Sequence, residues 1–144
     1  MIVLLPPSET KHPGGDGPPL RLDSLAHPEL TPLRAALVDE LVELAADESA
    51  CSRALGLSAS QHAEIERNAA LRSAPTMPAI NRYTGVLYGA LDYAGRPAAL
   101  RHRLDRDVVV VSGRWGLLRG DDPVPAYKLP IGASLPTLGG LASW

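Results

Sequence analysis

Val108-Val109-Val110-Val111-Ser112-Gly113 is the stretch on which the reading of this chain turns. Four consecutive β-branched residues favour an extended strand over a helix, and the glycine after Ser112 stops it. A second apolar run, Met1-Ile2-Val3-Leu4-Leu5, opens the chain and is halted by Pro6-Pro7. Neither run alternates apolar with polar, so both are expected to be strands buried on both faces. Helical patterns fill the space between them. The fold class is therefore α/β: a few-stranded sheet with several helices, in a single domain over residues 1–144.

The first helix starts at Thr31-Pro32, a hydroxyl followed by proline at the first helical position. Leu33, Leu37, Leu41 and Leu44 then recur at helical spacing, widened by Val38, Val42 and Ala45, with Asp39, Glu40 and Glu43 mainly opposite. The pattern predicts one helix to about Ser52. Leu55-Gly56-Leu57 interrupts it, and Ser58 with Gln61 forms a capping-box signature for a second helix to about Arg72. Further helices are expected over Tyr83–Leu91 and from Pro97 to Leu104. Residues 6–20, rich in proline and glycine, are expected to be loop, as is the chain after Gly113. Two strands are too few for a covered sheet. Either loop segments supply more pairing or part of the fold is missing.

Polar motifs follow each strand, and in α/β proteins ligands collect at the carboxyl ends of strands. After the first comes Pro6-Pro7-Ser8-Glu9-Thr10-Lys11; after the second, Ser112-Gly113-Arg114-Trp115-Gly116 through Arg119, Asp121-Asp122 and Tyr127-Lys128. Lys11 and Lys128 are the chain's only lysines, against twelve arginines. Arg119 can fork two hydrogen bonds to a phosphate or carboxylate. Arg82 and Thr84 stand at the start of a predicted helix, where free N–H groups favour an anion. The anion-binding candidates are thus Ser8, Lys11, Arg82, Thr84, Arg119 and Lys128. In an enzyme at this cleft, Ser8, Tyr127 or Asp122 would take part in the chemistry. The bland counterpart is an Arg–Asp network that ties down a long loop.

Other classes fare worse. A net charge of −2 argues against a wholly basic nucleic-acid binder but leaves room for a local basic patch. Arg101 to Lys128 carries six bases against four acids, while acids dominate Asp23 to Glu66. Gly14-Gly15-Asp16-Gly17 matches no nucleotide fingerprint. His12, His27, His62 and His102 lack metal-ligand spacing, so no metal or cofactor is expected. One cysteine, Cys51, suits a reducing cytoplasm. No apolar run approaches the ~20 residues that span a bilayer.

Three motifs in order, P-P-S-E-T-K at 6–11, R-Y-T-G-V-L-Y at 82–88 and S-G-R-W-G-L-L-R-G-D-D-P-V-P-A-Y-K-L-P-I-G at 112–132, together with the closing Leu-Ala-Ser-Trp, resemble the YaaA family of bacterial peroxide stress proteins. The resemblance covers the whole chain. It implies a cytoplasmic protein of the oxidative stress response that limits free intracellular iron, and an unusual α/β fold with a helix-hairpin-helix and a cationic cleft that binds DNA. Members are much longer than this chain, which then corresponds to the N-terminal portion of the family fold. The hairpin fits best at Leu55–Ser58, with Arg53, Gly56 and Arg67 as candidate backbone-phosphate contacts. A plain pair of packed amphipathic helices suits the same residues. The alternative to DNA at the cleft is a small anionic or nucleotide-like substrate.

Overall fold

A computed structural model describes residues 1–130 and 132–140. Ile131 and the closing Leu141-Ala142-Ser143-Trp144 lie outside the described residues. The fold is α/β, with six α-helices and three small sheets among the described residues. Strand β1 (Val3–Leu5) pairs in parallel with β4 (Val108–Ser112), which pairs antiparallel with β5 (Gly116–Arg119). Because β1 and β4 run the same way, with Leu5 opposite Val110, both release their loops at one edge. Segments more than a hundred residues apart thereby become neighbours.

The extra pairing comes from segments expected to be loop. β2 (Gly17–Pro19) pairs with β3 (Pro75–Pro78), and β3 with β6 (Pro123–Val124). β7 (Ser134–Leu135) and β8 (Gly139–Gly140) form a short hairpin. Gly15 makes the second sheet possible: its φ is +141° and an added Cβ would meet the Thr76 carbonyl oxygen at 2.5 Å.

The two apolar strands are not buried on both faces as expected. Val108 and Val110 are fully buried, but Val111 is 42% exposed, and on β1 Leu4 is 64% exposed. Leu4 and Val111 share the outer face with Ile2 and Leu117, also exposed, because side chains alternate along a strand. The apolar run hides an alternation that only the sheet reveals.

The long predicted helix is broken. α1 (Thr31–Leu44) ends at Ala45, and Asp47 starts α2 (Glu48–Leu55) by accepting from Ala50 N–H. Leu33, placed in the core stripe by its spacing, is 37% exposed. Arg34 is buried instead, its guanidinium donating to the carbonyls of Ala26, His27, Trp115 and Leu117 and so fastening α1 to the β4–β5 hairpin. Glu40, assigned to the wet face, is buried too and accepts from the backbone of Thr137 and Leu138. Leu37, Leu41 and Leu44 pack with Cys51, Leu55, Ile65, Val110, Trp115 and Leu118 in one core. Each fully buried large aliphatic chain contributes about 1.5–3 kcal/mol.

The expected capping box is present: Ser58 and Gln61 open the turn before α3 (His62–Ala69). Gly56, at φ +63°, ends α2 in the left-handed conformation a Cβ disfavours. Helices α2 and α3 therefore form a pair joined at Leu55–Ser58. The remaining helices are short: α4 (Ala79–Arg82), α5 (Val86–Leu91) and α6 (Ala98–Asp107). No helix among the described residues is long and apolar enough to cross a membrane.

Candidate anion-binding pocket

The loop leaving β1 is pinned to the residues around α4. Lys11 bridges Tyr83 through the backbone, flanked by His12 N–H to the Arg82 carbonyl at 2.8 Å and Thr84 N–H to the Thr10 carbonyl at 3.1 Å. The Lys11 ammonium turns back to donate to the carbonyls of Ser8 (3.1 Å) and Glu9 (3.3 Å) and lies 4.3 Å from the Tyr127 ring centroid. Burial, followed by the charge of Lys128, lowers its pKa from 10.5 to about 8.

At the end of β4, Ser112 Oγ accepts from the backbone N–H groups of Arg114 (3.3 Å) and Trp115 (3.2 Å), which fixes the turn. Tyr83 donates to the same hydroxyl at 3.1 Å, and the Tyr83 and Tyr127 hydroxyls meet at 2.8 Å. Burial pushes both phenols upward, so this trio is neutral and structural at physiological pH. Lys128 is positioned by α3: Asn68 donates to its carbonyl at 2.8 Å and accepts from its N–H at 2.9 Å. The Lys128 ammonium lies 3.3 Å from Glu9 Oε2.

Arg114 completes the arrangement. It is 2% exposed, and its guanidinium carbon lies 4.3 Å from the Trp115 ring. Its Nε, Nη1 and Nη2 are buried without a hydrogen-bond partner among the described residues. Burial lowers its pKa to about 10. Ser8, Glu9, Lys11, Arg114, Tyr127 and Lys128 line one recess of about 250 Å³. Three cations thus converge on a small, half-enclosed space, and among the described residues that line it Glu9 alone carries a carboxylate.

Of the sequence candidates, Ser8, Lys11 and Lys128 are brought together here; the others are not. Arg82 does not face the recess. It is fully buried and spends its donors on the carbonyls of His12, Gly14, Pro75 and Val124, at 2.6–3.3 Å. These bonds staple the 12–14 loop against β3 and β6. Arg119 lies outside the recess, half exposed at the end of β5 and 3.5 Å from Asp121. Asp122 is buried and accepts from the N–H groups of Ala26 and Arg119, which tethers the turn after β5 to the segment before α1. Thr84 donates to Thr10 Oγ1 and lines a different recess. On the helix pair, Arg53 bonds Ser49, and Arg67 bonds Glu64 at 2.8 and 2.9 Å.

Arg114 stands inside the third motif but is not among the sequence candidates. Its signal was an arginine beside a tryptophan, in a glycine-flanked turn at a strand end. Asn68, inside an ordinary helical pattern, gave none. Among the described residues no group of three or more His, Cys, Asp or Glu side chains could hold a metal ion.

Fold and recess together define an α/β protein with a cationic pocket at paired strand ends. A family model described as Peroxide stress protein YaaA matches residues 1–143, and the chain belongs to that family. It is 47% identical to UPF0246 protein SCO2297 of Streptomyces coelicolor, an alignment covering 100% of this chain and 56% of the relative. It is 44% identical to UPF0246 protein Cgl1995/cg2186 of Corynebacterium glutamicum, over 97% of this chain and 55% of that one. A more distant relative, Cj0984 of Campylobacter jejuni, is 27% identical over 94% of this chain and 55% of its own length. The chain spans about half the length of these relatives.

Proposed function

We propose that this chain serves the peroxide stress response by holding a small anionic ligand in the pocket formed by Lys11, Arg114 and Lys128. The observation that carries the reading is the Arg114 guanidinium, which has no hydrogen-bond partner among the described residues. Arg34 and Arg82 are as deeply buried, yet both spend their donors on carbonyls. A buried cation without partners costs several kcal/mol, and an arriving phosphate or carboxylate would supply the missing acceptors. Ser8 adds a hydroxyl at the mouth. The size of the recess suits one anionic group, and Arg82 and Arg119, which would have extended a phosphate track, serve elsewhere.

The test is calorimetric titration of inorganic pyrophosphate into the protein and into Lys128→Ala. We expect saturable binding to the wild type and at least tenfold weaker binding to the variant. A wild type that binds no pyrophosphate at low salt would overturn the reading.

A second reading, backbone contact with DNA, is favoured by one observation: α3 of the helix pair abuts the pocket through the bonds of Asn68 to Lys128, although Glu64 offsets the charge of Arg67 there. Under it, DNA affinity falls steeply with salt, and Lys128→Ala lowers the log–log slope by about one. In either case the expected cellular consequence is less free iron under peroxide. Chelatable iron in cells carrying Lys128→Ala, measured against wild type after a peroxide pulse, tests that link.

A further inference from the structure

A second recess, of about 420 Å³, has Tyr83 in its wall and shares no lining residue with the pocket above. Its volume falls within the ~300–1,000 Å³ of small-molecule sites. Met77, Ile80, Tyr88 and Tyr93 contribute apolar and aromatic wall; His12 and Asn81 add polar groups. His12 engages the Pro13 carbonyl through Nδ1, leaving Nε2 without a partner among the described residues, and the exposed Asn81 amide makes no side-chain hydrogen bond there. Gly89 opens the space: nothing lies within 4 Å of a Cβ built on it.

The two recesses are joined by a row of hydroxyls. Ser8, which lines the cationic recess, meets Thr10 at 3.1 Å, and Thr84, which lines the second, donates to Thr10 at 3.0 Å. Gly85 permits this approach, since a Cβ there would stand 3.1 Å from Ser8 Oγ. In order, the surface offers an aromatic and amide-edged recess, a row of hydroxyls, and three converging cations. A nucleoside monophosphate offers the complement in the same order: a flat base with donors and acceptors on its edge, a hydroxylated sugar, and a dianionic phosphate. Asp92 at the second recess would repel the phosphate and so fixes the orientation.

We propose that the two recesses form one bipartite site for a nucleoside monophosphate, with its phosphate against Arg114, Lys11 and Lys128 and its base against Tyr88 and Tyr93. This rests on the anion-pocket reading and adds the base recess to it. The test compares adenosine 5′-monophosphate with ribose 5-phosphate on the wild type and on Gly89→Leu, which fills the second recess from an exposed helical position. Expected is at least tenfold tighter binding of the nucleotide to the wild type, reduced in Gly89→Leu to the level of ribose 5-phosphate, whose own affinity is unchanged. Equal affinities of the two compounds for the wild type would overturn the base recess and leave the anion pocket standing. Binding of neither would overturn both. On the wild type alone, NMR contacts between adenine protons and the Tyr88 and Tyr93 rings support the proposal, and their absence in a saturated complex counts against it.

Discussion

Replacing Arg114 by methionine should stabilise the empty protein, whereas the same replacement at Arg82 should cripple it. Burial lowers the Arg114 pKa from 12.5 to about 10, a penalty of roughly 3 kcal/mol for keeping the charge inside. Contact with Trp115 returns about 1–2 kcal/mol of that. Methionine has a similar length, packs against aromatic rings and needs no acceptors. Arg114→Met should therefore gain about 1–2 kcal/mol, or roughly 3–6 °C in Tm for a chain of this size. Arg82→Met instead strips a donor from the carbonyls of His12, Gly14, Pro75 and Val124, and leaving buried acceptors unpaired costs at least about 3 kcal/mol in total. Urea unfolding with unchanged m-values reads both effects, and pyrophosphate titration of Arg114→Met should show binding at least tenfold weaker. If Arg114→Met lost more than about 1 kcal/mol while still binding pyrophosphate normally, the guanidinium would have to be a structural element and the argument from its missing partners would fail.

Other perturbations separate the remaining parts of the site and fold. Glu9, the exposed partner of Lys128, competes with any incoming anion, so Glu9→Gln should tighten pyrophosphate binding by up to about fivefold, the worth of a surface ion pair; weaker binding would mean Glu9 helps hold the ligand. Lys11 has a folded pKa of about 8 against 10.5 in the unfolded chain, so the unfolded state binds more protons between those values and stability rises with pH there. From pH 7 to 9.5 the ligand-free protein should gain about 2 kcal/mol in urea unfolding, pyrophosphate affinity should fall as Lys11 discharges, and Lys11→Met should flatten both trends. Val110 is fully buried and Val111 is 42% exposed on the opposite face. Val110→Ala should therefore cost about 2 kcal/mol and Val111→Ala less than about 0.5 in the same unfolding assay; equal costs would refute the assigned faces.

Much of the scaffold was legible because it rests on local rules. The Thr31-Pro32 start, the Ser58/Gln61 capping box and the β4 valines each announce their structure within a few residues. What the pattern could not carry was tertiary. β2, β3 and β6 are proline-rich segments of two to four residues, extended because they pair with one another and not because their composition demands it. Glu40 and Arg34 break the amphipathic logic of α1 because backbone groups of distant loops meet them there. The meeting of Lys11 with Lys128 was legible in outline, since parallel strands deliver their ends to one edge. That Arg82 would turn away was not, because its acceptors come from segments up to 70 residues distant in sequence.

The three deeply buried arginines give the sharpest view of how this fold divides stability from function. Arg34 joins α1 to the central hairpin, and Arg82 joins the first loop to the second sheet, where short, proline-rich strands provide little backbone pairing. With so little regular sheet, the chain uses guanidinium forks as cross-links between carbonyls, which suits a side chain offering five donors in a fixed plane. Arg114 is held by Trp115 and by the Ser112 turn, but its guanidinium donors find no acceptor among the described residues. Lys11 beside it is also discharged toward neutrality by burial and by Lys128. Two neighbouring cations that are both costly to keep charged make a pocket whose empty state is raised in energy relative to its filled one. An anion entering it therefore gains its own hydrogen bonds and also relieves that penalty, so strain stored in the empty protein becomes affinity for the ligand.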